Sequence, residues 1–371
     1  MPASPGWGSD PGGQVPYESL PACGACAAQA AAPAGGVRTI RRVRLLVTGG
    51  CGFIGSHFVK RLVAAGEDVV VLDKLTYAGN PGNLDGVGVE VVRGDIADAD
   101  AVAAAAERCD AVVNFAAETH VDRSILGAAE FIQTDVFGTF VLLEWARQSG
   151  GRLVHVSTDE VYGDMEAGGS ARESDPLRPS SPYAASKAGG DLLVLAHVRT
   201  YGVDAVITRG SNTYGPNQYP EKMIPLFVTN ALDGEPLPVY GDGRQRRDWL
   251  HVRDHCAAIE LVLRQGRPGE VYNVGRGEEL ENLDVVRRIL RHTGAKDELV
   301  RHVEDRPGHD RRYSLDSSKL IALGWRPEYD FEQGLAETVE WYRANRSWWE
   351  PLKSGEYLAY YRRQYARRLA E

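Results

Sequence analysis

Tyr183 and Lys187 form a Tyr-x-x-x-Lys pair whose residue types and spacing suit proton transfer. Side chains four positions apart lie on one face of a helix. A lysine ammonium near a phenol favours the phenolate and lowers the pKa of that phenol. The resulting base can remove a proton from a hydroxyl group while a hydride leaves the same carbon. Because such pairs are common by chance, this one gains weight from its place one strand–helix unit after a predicted fifth strand.

A second set of polar side chains follows that predicted strand, in the segment 157–163. Ligands bind at the carboxyl ends of the strands in a parallel sheet. Thr158 can hydrogen-bond a reacting hydroxyl group there. Asp159 and Glu160 are adjacent carboxyls whose pKa values, if pushed apart, would let one act as an acid and the other as a base in an elimination of water. An isolated pair of this kind better suits a solvated turn, so the neighbouring motifs favour the catalytic interpretation.

A glycine-rich turn in the segment 48–55 indicates a dinucleotide site. Glycines let the backbone approach a pyrophosphate, and the N-terminus of the following helix binds the phosphates. Asp73 ends the second predicted strand, where it can accept hydrogen bonds from a ribose diol and would repel a 2′-phosphate, so NAD is favoured over NADP. Asp95 and Ile96, after the third strand, are predicted to meet the adenine. The alternative is a structural glycine turn beside an unrelated Asp. The predicted contacts in the turn are Gly49, Gly52, Phe53, Ile54 and Gly55.

These motifs can come together only if strands and helices alternate along the chain. The pattern of apolar residues predicts such an alternation. Short apolar runs that end near glycine or aspartate predict buried parallel strands. The predicted strands are 43–48, 69–72, 89–92, 111–115, 153–156 and a sixth around Val206 and Ile207. The predicted helices include 53–65, 129–148 and one after Pro182. Repeated units of this kind predict an α/β fold, a Rossmann-like doubly wound parallel sheet with a smaller C-terminal substrate-binding domain.

We predict three regions along the chain. Residues 1–40 are rich in Gly, Pro, Ala and Ser, which predicts a disordered extension. Cys23 and Cys26 within it lack further zinc ligands at suitable spacing, which favours two incidental thiols. Residues 41–210 form the NAD-binding domain, to which segments near 248–275 return, with 271–274 as a candidate additional strand. Residues 211–371 form mainly the substrate domain.

The bulk composition excludes several classes of protein. The chain of 371 residues has a net charge of −9, which argues against a surface for nucleic acid. No apolar run approaches the ~20 residues of a membrane span, and the N-terminus lacks the pattern of a secretory signal. The five Cys do not suggest a disulfide framework. We therefore expect a cytoplasmic protein that binds no nucleic acid, no membrane and no metal.

Longer segments resemble the extended short-chain dehydrogenases/reductases and, among them, the dTDP-glucose 4,6-dehydratases. The matching segments are 73–80, 116–124, 157–163, 181–187, 214–218, 220–222, 241–252 and 305–310, so that the resemblance covers about residues 42–330. One departure is Thr213, which stands where the family usually has a second Asn after Asn212. That departure puts one hydrogen bond to cofactor or substrate in doubt.

The resemblance implies a reaction of dTDP-glucose without net oxidation. Tyr183 would remove the proton of the C4 hydroxyl while NAD accepts the C4 hydride, and the resulting ketone acidifies C5. Glu160 would then remove the C5 proton while Asp159 protonates the departing C6 hydroxyl. Return of the hydride to C6 gives a 4-keto-6-deoxy sugar. The implied catalytic set is Thr158, Asp159, Glu160, Tyr183 and Lys187.

The resemblance also assigns binding residues and an assembly. Further cofactor contacts are expected at Lys74, Leu75, Thr76, Ala116, Ala117, Glu118 and Thr134, besides Tyr183 and Lys187. Contacts with the nucleotide-sugar are expected at Thr119, His120, Thr158, Asn212, Lys222, Met223, Pro238, Val239, Tyr240, Arg247, Asn282, Arg306 and His309. Arg247 and Asn282 would face the diphosphate and nucleotide, and Arg306 and His309 would close the site. A homodimer would form through the helices near Val136 and Leu192.

Two other interpretations use the same motifs. A 4-epimerase or a decarboxylase of nucleotide-sugars shares the glycine turn and the Tyr–Lys pair, but an epimerase leaves Asp159 and Glu160 unexplained and a decarboxylase leaves Asp159 unexplained. A non-catalytic NAD-binding scaffold protein has the same fold, since fold alone does not fix function. Such a protein would be expected to lack part of the set Tyr183, Lys187, Asp159 and Glu160, all of which are present.

Overall fold

The computed structural model describes residues 43–370, apart from the side chains at positions 356 and 366–370. The predicted N-terminal extension, with Cys23 and Cys26, lies outside the described residues. Within them the strands are β1 Arg44–Thr48, β2 Asp68–Asp73, β3 Glu90–Arg93, β4 Ala111–Asn114, β5 Arg152–Thr158, β6 Ala205–Gly210, β7 Asn212–Tyr214, β8 Leu237–Tyr240, β9 Arg246–His251, β10 Val271–Val274, β11 Glu279–Glu281 and β12 Val300–Val303.

The helices alternate with these strands through the first half of the chain. The α-helices are α1 Phe53–Ala64, α2 Ala99–Ala105, α3 Val121–Leu126, α4 Ala129–Phe131, α5 Thr139–Ser149, α6 Pro182–Tyr201, α7 Met223–Asp233, α8 Val252–Gln265, α9 Asn282–Thr293, α10 Ser318–Ala322, α11 Phe331–Ala344, α12 Arg346–Trp349 and α13 Gly355–Ala370. Short 3-10 helices occupy Pro81–Leu84, Asp159–Tyr162, Asp297–Leu299 and Pro351–Lys353.

Seven parallel strands form the central sheet in the order β10-β6-β5-β4-β1-β2-β3. The strand β1 shows why helices cover both faces, because its side chains alternate between two cores. Leu45 and Val47 belong to a cluster that includes residues of α1 and α8. Leu46 belongs to a second cluster with residues of α2, α5 and α6. The predicted α/β fold with a Rossmann-like doubly wound sheet is confirmed, and the candidate strand 271–274 joins the sheet beside β6.

The predicted helix 129–148 is helical throughout but is not a single α-helix. Between α4 and α5 the residues Ile132–Gly138 form a π-helix. A π turn holds one more residue than an α turn and often occurs at functional sites. Here the wider turn buries both Thr134 and Asp135, and Thr139 Oγ1 donates to the carbonyl of Asp135 at 2.7 Å.

The residues after β6 build a second group of elements. Strand β9 pairs with β7 and β11 in a three-stranded sheet, and β8 pairs with β12. A third core, formed by side chains of α7, α9 and α11, supports them. The boundary predicted at residues 210 and 211 between cofactor and substrate domains stays a prediction. In the described part of the chain, no helix is both long and apolar enough to cross a membrane.

Candidate active site

A cavity of about 320 Å³ lies where the central strands end. It is lined by residues that follow β1, β2, β3, β4, β5 and β6, because parallel strands place their carboxyl ends along one edge. Of the predicted cofactor contacts, all but Leu75 line this cavity: Gly49, Gly52, Phe53, Ile54, Gly55, Asp73, Lys74, Thr76, Asp95, Ile96, Ala116, Ala117, Glu118, Thr134, Tyr183 and Lys187. Leu75 instead has a positive φ of 56°, and its amide donates to Asp73 Oδ1 at 2.8 Å.

The glycine turn brings backbone close to backbone at one end of this cavity. Gly49 has a φ of 66°, and a Cβ there would lie 2.7 Å from the amide nitrogen of Ala116. A side chain at this position would therefore meet both an unfavourable backbone conformation and a collision. The helix α1 begins directly after Gly52, so its N-terminal amides point into the cavity edge.

Asp73 is held by the backbone around it. Its Oδ2 accepts from the amide of Cys51 at 2.9 Å, and its Oδ1 accepts from the amide of Leu75. Burial raises the pKa of Asp73, and the two backbone hydrogen bonds oppose that rise. Each carboxylate oxygen keeps a lone pair for a ribose hydroxyl. The close approach at Gly49 and the oriented Asp73 thus fit a dinucleotide with an unphosphorylated ribose.

Lys74 and Asp95 form an ion pair at the same end, with Nζ 2.8 Å from Oδ2. Asp95 also accepts from the amide of Ala97. The ion pair with Lys74 lowers the pKa of Asp95 despite its partial burial. Asp95 and Ile96 both lie at the cavity wall, as expected for contacts with an adenine.

The predicted catalytic run lies at the end of β5. Thr158 is the last residue of the strand, and its hydroxyl accepts from the amide of Glu160 at 3.3 Å. The 3-10 helix that starts at Asp159 turns the chain, so that both carboxyls line the cavity. Asp159 is buried, and its Oδ2 has no hydrogen-bond partner among the described residues.

The surroundings of the two carboxyls differ. Burial raises the pKa of both. At Asp159 the charges of Glu160 and Asp248 raise the pKa further, against the charge of Arg247 and a hydrogen bond from Thr158. At Glu160 three cations oppose the rise, namely Arg306, Lys222 and Arg247. Asp159 is therefore the better holder of a proton and Glu160 the better base.

Tyr183 and Lys187 lie in the first turns of α6, which Ser181 caps by accepting from the amide of Ala184. Lys187 Nζ donates to the carbonyl of Val156 at 2.9 Å, so the lysine is fixed against β5. Lys187 was expected to lower the pKa of the phenol, but the net shift of Tyr183 is in the opposite direction. Burial raises the pKa of Tyr183 well above its usual value, and nearby carboxylates add to this.

Three carboxylates are responsible for that addition, Glu160, Asp135 and Asp159, while the hydroxyl of Thr158 lowers the pKa of the phenol. The sequence pattern did not indicate Asp135, because its burial depends on the π-helix. Its Oδ2 accepts from the hydroxyl of Ser186 at 2.7 Å. Burial raises the pKa of Asp135 to about 6.

A second cavity of about 160 Å³ adjoins the first, and Glu160 lines both. Nearly all predicted nucleotide-sugar contacts line this second cavity: His120, Asn212, Lys222, Met223, Pro238, Val239, Tyr240, Arg247, Asn282, Arg306 and His309. Thr119 and Thr158 line the first cavity. The two cavities together therefore collect every predicted substrate contact.

Cations in the second cavity are held by backbone carbonyls. Arg247 Nη2 donates to the carbonyl of Asp310 at 2.7 Å, and its guanidinium lies 4.1 Å from the ring centroid of Tyr313. Lys222 Nζ donates to the carbonyl of Thr119. Carbonyl contacts orient a cation without neutralising its charge, so both side chains can attract an anionic ligand.

Thr213, the departure from the family pattern, has a defined partner. Its hydroxyl lies 2.8 Å from Nδ1 of His255 and donates to the carbonyl of Ser211. Both Thr213 and His255 line the first cavity. The position that the family pattern gives to Asn is thus part of a hydroxyl–imidazole pair here.

Several lining residues had no assigned role in the sequence analysis. They are Ser211, Gln218, Tyr219, Glu221 and Trp249 in the first cavity and Asp122, Tyr313 and Tyr365 in the second. Asp122, Gln218 and Glu221 lie within segments that match the family, which was a usable signal. Tyr365 lies far from every motif in the sequence, and only the folding of α13 onto this region places it at the second cavity. No group of His, Cys, Asp or Glu among the described residues could hold a metal ion.

Comparisons with known proteins agree with this geometry. The GDP-mannose 4,6 dehydratase family model matches residues 46–338. A dTDP-glucose 4,6-dehydratase of Streptomyces niveus is 57% identical over 324 residues, which are 84% of this chain and 96% of that protein. A similar solved structure is that of DesIV, a dTDP-glucose 4,6-dehydratase of Streptomyces venezuelae, with NAD and dTDP bound. The two chains are 56% identical and superpose with a TM-score of 0.82. The match covers 84% of this chain and 100% of DesIV.

An epimerase with the same fold is more distant. The UDP-glucose 4-epimerase of Thermus thermophilus in complex with NAD is 36% identical, with a TM-score of 0.78, and covers 81% of this chain and 99% of that one. The difference in identity places this chain nearer to the dehydratases than to that epimerase. The chain belongs to the GDP-mannose 4,6 dehydratase family, in which its relatives above half identity are dTDP-glucose 4,6-dehydratases.

Proposed function

We propose that the chain is an NAD-dependent hydro-lyase that converts dTDP-glucose to dTDP-4-keto-6-deoxyglucose and water. The observation that carries the proposal is the pair Asp159 and Glu160 at the end of β5, in unlike electrostatic surroundings and beside Tyr183. An elimination of water needs an acid and a base at one site, and this pair supplies both. The dehydratases at 55–57% identity support the same activity and substrate.

The first cavity binds the cofactor in this proposal. Gly49 and the N-terminus of α1 approach the pyrophosphate, and Asp73 accepts from the ribose hydroxyls. When bound there, NAD would supply the hydride acceptor for C4, the hydride donor for C6 and a positively charged ring that favours the phenolate of Tyr183. Thr158 and Tyr183 hold the C4 hydroxyl between them, and Tyr183 receives its proton.

The second step belongs to the two carboxyls. Glu160, facing three cations, removes the C5 proton, which the neighbouring ketone has made acidic. Asp159 retains its proton in a buried position and donates it to the C6 hydroxyl, which leaves as water. Glu160 returns its proton to C5 as the hydride reaches C6, and the proton that Tyr183 took from the C4 hydroxyl replaces the one that Asp159 gave up. Burial of Asp159 and of the adjoining wall residues also limits the access of bulk water to the unsaturated sugar.

The direct test is incubation of the purified chain with dTDP-glucose. We expect a product lighter by one water, with the new ultraviolet absorbance that a 4-keto-6-deoxy sugar gives in alkali. Asp159→Asn is the matched control, because it keeps the volume of the side chain and removes its ability to donate the proton. A product of unchanged mass would indicate an epimerase, loss of carbon dioxide from a uronate substrate would indicate a decarboxylase, and no product would indicate a scaffold.

We also propose a homodimer through α5, the π-helix and α6. Most exposed large apolar side chains of the described residues lie on or next to these helices: Ile125, Leu126, Ile132, Phe137, Phe140, Leu192 and Tyr201. Phe137 is 45% exposed and Leu192 58% exposed, and exposed apolar side chains concentrated on neighbouring helices favour an interaction site. A second copy would bury the same surface on both subunits.

Light scattering tests the dimer. Leu192→Glu is expected to give a monomer, because it places a charge in the apolar surface. Ile321→Glu, at an exposed apolar position on α10, is the matched control and is expected to leave the mass unchanged. A wild-type monomer at micromolar concentration would contradict the proposal. The cytoplasmic location stays a prediction from the sequence.

A further inference from the structure

Asp122 is a buried carboxylate that the reaction described above does not use. It lies at the start of α3, is 5% exposed, and lines the nucleotide-sugar cavity. A buried carboxylate is costly unless it is hydrogen-bonded and paired. The structure satisfies both needs at once, but with different oxygens.

The Oδ2 atom of Asp122 faces three donors. The hydroxyl of Tyr240 donates to it at 2.8 Å, Nε2 of Gln364 at 3.1 Å, and the hydroxyl of Tyr360 at 3.5 Å. Gln364 Nε2 also lies 2.7 Å from the hydroxyl of Tyr240, so the two side chains are fixed relative to each other. Two of the three donors come from α13, which lies beyond the segment matched by the family model.

The Oδ1 atom faces a cation. Arg306 Nε lies 3.7 Å from it, and the Arg306 side chain is mostly buried. The charge of Glu160 also acts on Arg306, so that two carboxylates stabilise the guanidinium. Its Nη1 is buried without a hydrogen-bond partner in the part of the chain that the structure describes, and the residue lines the cavity.

We propose that α13 and Asp122 act as a positioning unit that holds Arg306 towards the anionic oxygens of a bound nucleoside diphosphate. The inference rests on the proposed function for the identity of that ligand. Gln364 and Tyr360 fix Asp122, and Asp122 holds Arg306 away from the base Glu160. Without them, Arg306 is free to turn away from the ligand, so that the nucleoside diphosphate loses one cation.

Further contacts tie α13 to the same wall. The ring of Tyr360 lies 5.5 Å from the ring of His120 and 4.7 Å from the guanidinium of Arg123. Tyr365 lines the cavity itself and lies within 3.4 Å of the hydroxyl of Tyr240. The C-terminal helix therefore contributes surface as well as hydrogen bonds to the nucleotide-sugar site.

The test is the double variant Tyr360→Phe/Gln364→Leu, which removes both α13 donors and keeps their volume. We expect the KM for dTDP-glucose and the Kd for dTDP, measured by calorimetry, each to rise about tenfold, since hydrogen bonds to a charged group are the strong ones. The value of kcat and the amount of NAD retained should stay within about twofold. If the double variant melts below the assay temperature, Gln364→Leu alone is expected to raise the Kd about threefold.

Tyr361→Phe is the matched control, because it removes a hydroxyl from the same helix that faces Asn230 at 3.5 Å rather than Asp122. An equal rise in Kd for the control and the double variant, or an unchanged Kd in a folded double variant, would overturn the proposal. The calorimetric measurement needs no turnover. A chain that binds dTDP but releases no water therefore fails the proposed function while still testing the role of α13.

Discussion

The two cavities are built in different ways. The cofactor cavity is assembled from short segments that each follow a strand of one sheet, and backbone atoms make many of its close approaches, as at Gly49 and around Asp73. The nucleotide-sugar cavity is assembled from α3, α7, β8, β9, α9, the segment 304–310 and α13. Its charged side chains are held by other side chains and by carbonyls, as at Arg247 and Asp122.

This difference indicates how each cavity responds to change. A site held by backbone geometry tolerates most side-chain replacements but not a new Cβ where the chain passes closely. A site held by buried charges depends on each partner, because removal of one leaves the other unpaired. Glu160 lines both cavities, and Tyr183 and Asp159 lie in the cofactor cavity close to it. These three residues therefore depend on backbone geometry and on buried charges.

The largest effect is expected from Tyr183→Phe. The variant lacks the hydroxyl that receives the C4 proton, so both turnover and reduction of the cofactor should fall about a thousandfold. Rapid mixing with dTDP-glucose and near-ultraviolet absorbance of the reduced cofactor measure this. Tyr201→Phe, on the same helix but exposed, should behave as the wild type.

Asp159→Asn should separate the two chemical steps. Elimination should slow about a hundredfold, because the amide cannot donate the proton that the carboxyl holds. Oxidation at C4 should persist, so the absorbance of the reduced cofactor should appear and decay slowly. If this variant lost cofactor reduction as completely as Tyr183→Phe, the assignment of Asp159 as the acid for water loss would be wrong.

Gly49→Ala tests whether close backbone approach shapes the cofactor cavity. The variant adds a Cβ at a positive φ, 2.7 Å from the amide of Ala116, and NAD binding should weaken about tenfold. Gly86→Ala is the control, because Gly86 has a φ of 76° but no atom within 4 Å of the added Cβ. Equal effects of the two changes on NAD retention would show that backbone strain, rather than close approach, decides the result.

Catalysis by Glu160, whose charge depends on the nucleotide-sugar cavity, should be sensitive to pH. Glu160 must be deprotonated to act as a base, and burial raises its pKa, so the rate should fall with decreasing pH at a higher pH than for an exposed glutamate. Lys222→Met removes one cation that lowers this pKa, so the acid limb should move to higher pH. Lys74→Met, at the cofactor end, should leave that limb in place. The pH profile of kcat measures both, and a shift in the opposite direction would contradict the role of Glu160.

Much of the cofactor cavity was predictable because its residues follow strands directly. Asp73 is the last residue of β2, while Gly49 and Asp95 lie one and two positions past β1 and β3, and apolar runs that end in glycine or aspartate mark such places. The edge of a parallel sheet then brings them together without further information. The π-helix that places Asp135 was not predictable, because its sequence has the apolar period of an ordinary helix.

The sequence by itself determined the doubly wound sheet, the family and the types of residue that do the chemistry, because strand period, glycine turns and local motifs act over a few positions. The tertiary structure alone decided how those residues are charged. It set the pKa of Tyr183 well above its usual value, brought the charges of Arg306, Lys222 and Arg247 to bear on Glu160, and brought α13 to Asp122. Burial and electrostatic interactions depend on distances between segments far apart in the chain, and only the fold sets those distances.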